Sequence, residues 1–415
     1  MLPFRALRYA AGDLAALTSP PYDVIDADGV AALEAASEHN VVRLILPRED
    51  PGSGLDRYQR AAQTLERWRE AGVLVPDQDA ALYVYEQAAP GGHAQRGLLG
   101  ALALTPPEDG IVLPHENTMA GPVGDRLALY DAVDADLEPI FLVYDGGGAA
   151  TRAVQEVDTS EPLVDAVLPD GLRHRLWAVT APDRLADIAA DLATRRALIA
   201  DGHHRYATYL RRQAAHHEAG DGPGPWDTGL TFLVDAQAFG PEVHPIHRVV
   251  PGRTAAELAD LASNGFAVTA FDGNLDGALD ALAAAGVLGP AFLLSDGDGG
   301  TLRLLTEPDQ ARLAAALPAD RSAAWRALDV SVLHGYVVPD LWGLPDTVET
   351  VSYEHDVQAA LNAASHTGGT AVLLNATPVQ GVVAVAGGGE RMPRKSTLFT
   401  PKPRTGLVLR DHRDA

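Results

Sequence analysis

The stretch at positions 197–206 reads ALIADGHHRY and joins three kinds of pattern in ten residues. The apolar start predicts a short buried strand, and Asp201 with Gly202 predicts a tight turn. Apolar residues then recur at helical spacing, which predicts a helix from His203 to about residue 217. A strand, a turn and a helix in this order favour a mixed α/β fold.

The turn also carries chemistry. A helix start presents unpaired N–H groups and the positive end of a dipole, so it can bind an anion. His203, His204 and Arg205 would oppose that dipole unless an anion lies in front of them. We therefore interpret these residues, with Gly202, as a phosphate-binding turn. The alternative is that Asp201 is a simple N-cap and the histidines are solvated.

Composition restricts the function classes. The chain has 415 residues, of which 47% are apolar, and a formal net charge of −24. A large core is therefore expected, and nucleic acid is not an expected partner, because the acidic surface repels phosphate backbones. There is no cysteine, which excludes thiol chemistry. No apolar stretch approaches the ~18 residues of a membrane span, and the start lacks a signal-peptide pattern, so we expect a cytoplasmic protein.

The basic residues are unevenly chosen. Lys395 and Lys402 are the two lysines among 32 basic residues, and both lie in the segment 391–402, RMPRKSTLFTPK. A lysine is a compact point charge, which an arginine is not. The segment suits an anion-binding loop in which Lys395 supplies the charge, and Ser396 and Thr397 supply hydroxyl ligands for phosphate or Mg²⁺. The alternative is a basic surface segment.

A second polar segment follows a strand-like apolar run. Residues 113–122 read LPHENTMAGP, and Asp125 and Arg126 are expected to open the next helix. His115 and Glu116 are typical of a general base or a metal ligand. A polar loop in which Asp125 caps the helix is an equal alternative.

Two further segments are weaker signals. Residues 242–248 read EVHPIHR, and the internal proline argues against a helical two-histidine metal site. We expect a loop there, in which His247 and Arg248 contact an anion or substrate. Residues 18–25 read TSPPYDVI, a stiff loop whose Tyr22 and Asp23 could line a pocket. An ordinary surface turn is the alternative.

Beyond residue 225, predicted strands and helices alternate, which again indicates mixed α/β architecture. We place a boundary near residue 250, between an N-terminal region (1–250) that carries the candidate site and a second α/β region (251–415). The segment 391–402 is expected to return to the candidate site. The predicted strands include 371–375 and 381–386.

Taken together and in order, these blocks resemble the family filed as domain of unknown function 1015, over nearly the whole chain. The resemblance implies a ParB/sulfiredoxin-like core, whose phosphate turn is similar to that of ATP-dependent kinases of free serine. One position departs from the pattern, since residue 394 is Arg where many relatives carry Gln. The blocks are PFRA at 3–6, SPPYDVI at 19–25, PHE at 114–116, ADGHHRY at 200–206, HPIHR at 244–248 and MPRKST at 392–397.

The resemblance implies phosphoryl transfer from a nucleotide, such as ATP with Mg²⁺, to a small hydroxyl-bearing metabolite, with free L-serine as a candidate. Positioning and charge neutralisation are then the main tasks. We expect Glu116 to act as general base and as a Mg²⁺ ligand, and Asp201 to act in catalysis by holding Mg²⁺ or orienting the acceptor. His204 and Lys395 are expected on the transferring phosphate. The remaining expected contacts are Gly202, His203, Arg205, Arg126, Ser396 and Thr397 for the nucleotide, and Tyr22, Asp23, His115, His247 and Arg248 for the substrate.

Three other function classes stay open. A ParB-like phosphoester hydrolase or nuclease would release phosphate or cut nucleic acid without a phosphorylated acceptor. A nucleotide-binding regulator would bind without turnover. An α/β protein whose basic loops form internal salt bridges would not be stabilised by ATP and Mg²⁺, whereas a binding protein gains stability with ligand.

Overall fold

The computed structural model describes residues 1–159, 161–271, 273–297, 300 and 302–414. Strands and helices are mixed along the chain, so the predicted mixed α/β class is confirmed. The strands are β1 (Leu7–Tyr9), β2 (Leu74–Pro76), β3 (Leu82–Ala88), β4 (Ala94–Ala103), β5 (Val112–Leu113), β6 (Ala135–Asp136), β7 (Ile140–Tyr144), β8 (Val164–Val167), β9 (Arg173–Val179), β10 (Ala197–Asp201), β11 (Thr228–Asp235), β12 (Glu242–His244), β13 (His247–Val250), β14 (Ala267–Phe271), β15 (Phe292–Ser295), β16 (Leu302–Thr306), β17 (Ser352–Glu354), β18 (Thr370–Leu373), β19 (Leu398–Thr400) and β20 (Arg410–Asp411).

The helices include short 3₁₀ turns and one π-helical segment, Leu333–Leu341, which contains Pro339. None of the described helices is both long and apolar enough to cross a membrane. The α-helices are α1 (Leu14–Leu17), α2 (Ala27–Ala36), α3 (Val42–Ile45), α4 (Arg57–Glu70), α5 (Ala120–Val133), α6 (Ala149–Gln155), α7 (Pro182–Leu192), α8 (His203–Ala219), α9 (Ala255–Ala262), α10 (Leu275–Gly286), α11 (Gln310–Ala316), α12 (Ala323–Arg326), α13 (Asp329–Val332), α14 (Val357–Thr367) and α15 (Val379–Gly387).

The chain divides into two compact units. Unit 1 comprises Met1–Pro241 and Pro401–Ala415, and unit 2 comprises Glu242–Thr400. The sequence predicts a division near residue 250, with the C-terminal residues in the second region. Unit 1 contains an eight-stranded sheet in the order β5-β10-β7-β11-β4-β3-β9-β8, in which β10 runs parallel to β5 and antiparallel to β7. Its core includes Leu129, Leu142 and Ile199, which are fully buried.

Strand β10 and helix α8 are the strand and the helix that the sequence predicts between residues 197 and 217. The register of β10 against β7 shifts between Ile199 and Asp201, and such a bulge changes the direction of the following side chain. Gly202 has φ +95° and is the N-cap of α8. This backbone conformation suits glycine, because it has no Cβ. The bulge and the turn therefore fix where Asp201 and the first turn of α8 lie.

Unit 2 contains a six-stranded antiparallel sheet in the order β14-β16-β15-β18-β13-β17. The strand predicted at 381–386 is wrong, because this segment lies in α15. Its valines suggested a strand, since β-branched residues favour that state. In the structure Val382, Val385 and Ala386 are buried at helical spacing, so one face of the helix packs inward.

Candidate functional site

Arg205 is a buried internal cation at the start of α8. It is 1% exposed, and its Nη2 donates to Asp201 Oδ2 at 2.5 Å. Its Nη1 donates to the carbonyl oxygen of Pro139 at 2.6 Å. Burial alone lowers the pKa of Arg205, but the carboxylates of Asp201 and Glu138 raise it above its usual value. Arg205, in the first turn of α8, therefore holds the carboxylate of Asp201, the last residue of β10, in place.

Lys402 completes an ion cluster at the same turn. Its Nζ lies 2.6 Å from Asp201 Oδ1 and 2.8 Å from Asp23 Oδ2. The Lys402 side chain is 17% exposed, and Asp23 is 37% exposed. Burial lowers the pKa of Lys402, but the two carboxylates raise it above its usual value overall. The pKa of Asp23 is lowered by Lys402 and Arg205 despite the opposing effect of burial. Lys402 and Asp23 are therefore both ionised at neutral pH.

The loop that carries Glu116 is attached to the start of α8 by the two predicted histidines. The amide of His115 donates to His203 Nε2 at 3.2 Å, and the amide of Met119 donates to His204 Nε2 at 3.1 Å. The rings of His115 and His203 also meet edge to face, 4.6 Å apart. Both ends of the segment 115–119 are thus fixed to α8, and Glu116 lies between them, half-buried.

Tyr22 lies beside this cluster. The guanidinium carbons of Arg126 and Arg205 are 4.4 and 5.9 Å from the centre of its ring. Its backbone amide donates to Glu138 Oε1 at 3.0 Å. Burial raises the pKa of Tyr22. Tyr22 and Asp23, which the sequence predicted to line a pocket, therefore lie beside Arg205. The electron-rich face of the Tyr22 ring attracts the guanidinium groups of Arg126 and Arg205.

Glu138 is a fully buried carboxylate in the same group of residues. Its Oε1 accepts from the Tyr22 amide and from Thr405 Oγ1 at 3.1 Å. Within the described residues, Glu138 Oε2 and Arg205 Nε are buried and have no hydrogen-bond partner. Burial raises the pKa of Glu138, although Arg205 and Arg126 oppose the shift. A buried donor and acceptor of this kind are costly unless a water or ligand satisfies them.

Two members of the cluster were not predicted. Glu138 precedes a buried apolar strand, and no motif surrounds it. The sequence marks Lys402 only as the end of a basic segment, and it predicts Lys395 as the lysine that contacts the phosphate. The scarcity of lysine was a signal that applied equally to both. Lys402 belongs to the same compact unit as Asp201, whereas Lys395 belongs to the other unit, and the local sequence does not show this division.

Arg126 is also bonded internally. Its Nε and Nη2 donate to Asp125 Oδ2 at 2.9 and 2.6 Å, and its Nη1 donates to the carbonyl oxygen of Ile45. The predicted helix start at Asp125 is wrong, because α5 begins at Ala120. Pro122 is compatible with this start, since a proline in the first turn has no helical hydrogen bond to lose.

The described residues do not fit a resident Mg²⁺ ion at the predicted ligands Asp201 and Glu116. Both oxygens of Asp201 are already paired, one with Arg205 and one with Lys402. Among the described residues, no group of three or more histidines, aspartates or glutamates could hold a metal ion. Mg²⁺ requires near-octahedral oxygen ligands, which this pairing does not supply.

The remaining predicted residues belong to unit 2. The loop predicted around His247 and Arg248 is wrong, because both lie in β13 and are buried. Burial lowers the pKa of His247 to about 4, and its Nδ1 accepts from the amide of Leu374. Arg248 donates to the carbonyl oxygens of Ile246 and Lys395 and to His334 Nε2. Both side chains are thus engaged inside unit 2.

The loop around Lys395 is tightly held within unit 2. Lys395 is exposed and has φ +54°, which is unusual for a residue with a side chain. Ser396 is buried, and its Oγ donates to the carbonyl oxygen of Pro393 at 2.5 Å. Thr397 is half-buried. Their roles toward a phosphate stay predictions.

The chain belongs to the family described as protein of unknown function (DUF1015), which matches residues 1–331. No curated protein matches it. One of the solved structures to which the chain is similar is a free serine kinase variant in complex with ADP, with a TM-score of 0.38, 12% identity, and coverage of 79% of this chain and 97% of that chain. A free serine kinase in complex with AMP has a TM-score of 0.37, 13% identity, and coverage of 77% and 93%. SbnI from Staphylococcus aureus, truncated at the C-terminus, has a TM-score of 0.36, 12% identity, and coverage of 75% and 87%.

Proposed function

We propose that this protein transfers a phosphoryl group from a nucleotide to a small hydroxyl-bearing metabolite, and that the α8 start is the site of transfer. One observation carries the proposal. The segment 115–119 is fixed to the first turn of α8 through His203 and His204, so the half-buried Glu116 is kept at a helix start. A candidate base and a candidate phosphate site are thereby held together.

The nucleotide phosphates fit the start of α8 for local reasons. Gly202 has no side chain to cap the first turn, and that turn contains no acidic residue. A Cβ at Gly202 would lie 3.2 Å from Arg205 Nε, so only glycine avoids pressing on the guanidinium that holds Asp201 beside this turn. Helix amides and the dipole favour an anion there. The ion cluster of Asp23, Asp201, Lys402 and Arg205 has no net charge, so it does not repel a phosphate.

In the proposed step, Glu116 takes the proton from the acceptor hydroxyl as the acceptor oxygen forms a bond to the terminal phosphorus. The bond from that phosphorus to the bridging oxygen breaks, and its electron pair leaves with the nucleoside diphosphate. His204 is two residues after Gly202 and is assigned to the transferring phosphate. Tyr22 and Asp23 bound the acceptor side. Free L-serine is a candidate acceptor, because it is small and has a primary hydroxyl.

The test is a transfer assay with γ-labelled ATP and pools of small metabolites that include L-serine. We expect the natural protein to label an acceptor. The rate of labelling by Glu116→Gln should be lower by a factor of at least about 100, because a general base raises the rate roughly 10²–10⁴-fold. The matched control is Glu108→Gln, which changes an acidic residue of the 3₁₀ turn Pro107–Asp109 before the same loop. It should leave the rate unchanged.

Two results would contradict the proposal. Full transfer by Glu116→Gln, with label on the acceptor, would remove the base assignment. Release of free phosphate with no labelled acceptor in any pool would favour the hydrolase alternative. Binding of ADP measured on the same Glu116→Gln sample separates loss of chemistry from loss of the nucleotide site, since the carboxylate is not assigned to nucleotide binding in this step.

A further inference from the structure

We infer that Lys402 is the resident cation of the α8 site, and that its ammonium holds the position between Asp23 and Asp201 that a divalent cation would otherwise take. The Nζ atom lies within 2.8 Å of one oxygen from each carboxylate. A pair of carboxylates that converges on one point is the kind of ligand set that hard divalent cations use. Here the point is filled by the chain's own side chain.

The residue type fits this role. The chain has thirty arginines and two lysines, so a position that accepts any cation would be expected to carry arginine. An ammonium is a compact charge with three rotatable donors, whereas a guanidinium is a planar fork. Two carboxylates that approach one atom from different elements suit the ammonium. Arg205, on the other Asp201 oxygen, shows the contrasting geometry of the fork.

The electrostatics of the cluster also favour the lysine over a metal ion. Lys402 is largely buried, and Asp201 and Asp23 raise its pKa despite the burial, so the ammonium stays charged. Mg²⁺ gives up its water reluctantly and requires six well-placed ligands. To bind here it would have to displace Lys402 and would leave that charge without its partners. The lysine supplies the positive charge without these losses.

This inference concerns the site of the proposed function, and its role for a phosphate rests on that function. In that case Lys402, rather than a protein-held metal ion, balances the carboxylates when a phosphate arrives. The metal-binding consequence does not depend on turnover. Removing the ammonium should leave Asp201 Oδ1 and Asp23 Oδ2 without the cation between them, and these two oxygens should attract a divalent cation.

The test is a titration of the full chain with Mn²⁺, followed by electron paramagnetic resonance, with no nucleotide or acceptor present. We expect the natural protein and Lys402→Arg, which keeps a cation, to show only weak surface binding. Lys402→Met should gain one site that is at least about tenfold tighter, equivalent to ~1.4 kcal/mol. The double variant Lys402→Met with Asp23→Asn should lose that gain, because one of the two ligands is gone.

A folded Lys402→Met protein, checked by circular dichroism, that binds Mn²⁺ no better than the natural protein would overturn the inference. So would one tight Mn²⁺ site in the natural protein that Asp201→Asn removes. The second result needs no lysine variant, and Lys402→Gln serves if the methionine variant does not fold. Because nucleotide is absent from every arm, the titration can fail while phosphoryl transfer succeeds, and the reverse.

Discussion

Asp136 and Glu138 are two fully buried carboxylates only two residues apart, and their surroundings differ. Asp136 accepts from Arg410 at 2.8 Å, from the Leu230 amide at 3.0 Å and from His412 at 3.1 Å, so both of its oxygens are bonded. Glu138 is bonded on Oε1, and within the described residues its Oε2 has no partner. The same short segment therefore carries one buried carboxylate with both oxygens hydrogen-bonded and one with an oxygen that has no partner within the described residues.

The pKa directions agree with this contrast. His412 and Arg410 lower the pKa of Asp136 to about 2, against the effect of burial. For Glu138, burial is the stronger effect, and its pKa is raised. A paired buried carboxylate stabilises the fold, whereas one with an unsatisfied oxygen is typical of a site that a ligand completes. The comparison assigns Asp136 to the fold and Glu138 to the candidate site.

The sharpest way to break this comparison is to neutralise each carboxylate in turn. We expect Asp136→Asn to lower the free energy of unfolding by about 3–5 kcal/mol, because it leaves Arg410 and His412 buried beside an amide. Glu138→Gln should change it by less than about 1 kcal/mol, since Arg205 and Arg126 keep other partners and an unfavourable buried charge is removed. Urea unfolding at neutral pH measures both. Equal losses in the two variants would refute the contrast.

A smaller effect should follow from the histidine of the completed cluster. Asp136 and Asp134 raise the pKa of His412, although burial opposes them. A raised folded pKa means that the charged histidine stabilises the fold below its ordinary pKa and that this contribution is lost as the pH rises through the raised value. We expect His412→Gln to lower the free energy of unfolding by about 2 kcal/mol at pH 5.5, and by less at pH 9.

Urea unfolding of both proteins at the two pH values tests the sign. The control is His93→Gln, an exposed histidine of unit 1 that contacts the carbonyl oxygen of Gly240. It should change the free energy of unfolding only slightly, because the side chain is exposed. A His412→Gln loss that grows with pH would show that the histidine is neutral in the folded protein and would contradict the assignment of a charged cluster.

The parts of the fold that the sequence predicts correctly are those whose signals lie within a few neighbouring residues. The turn at Asp201 and Gly202 and the helix after it follow from patterns within ten residues, because strand and helix periods and glycine conformation act at that range. The incorrect strand at 381–386 has a different origin. Valine favours strands, but burial of one face at a spacing of three and four residues decided the outcome.

The members of the ion cluster at the start of α8 could be predicted only in part. Asp23, Asp201 and Lys402 lie far apart in the sequence and meet only when unit 1 is folded. Residue type alone could mark Tyr22, Asp23 and Asp201 as candidates, but it could not pair them with Lys402 rather than Lys395. Glu138 could not be found, because a single acidic residue before an apolar strand has no distinguishing local pattern.

A further separation of fold from site comes from two glycines of α8 that share one backbone conformation. Gly202 has φ +95° at the start of the helix, and Gly220 has φ +85° at its end. Replacing either with alanine should lower the free energy of unfolding by about 1–2 kcal/mol, the usual cost of a side chain in the left-handed region. A Cβ at Gly202 would lie 3.2 Å from Arg205 Nε and Nη2, whereas at Gly220 no heavy atom of the described residues lies within 4 Å.

The two alanine variants should therefore differ in how much ADP raises their melting temperature, although their backbone strain is alike. If the α8 start binds the nucleotide phosphates, saturating ADP raises the melting temperature of the natural protein and of Gly220→Ala, since a ligand that binds only the folded state stabilises it. Gly202→Ala should lose most of that rise, because its methyl group would press on the Arg205 guanidinium, which holds Asp201 beside the first turn of the helix. Thermal scans with and without ADP give the comparison. An equal rise in both alanine variants would move the nucleotide away from this turn, and Glu116 would then have no phosphate to act on.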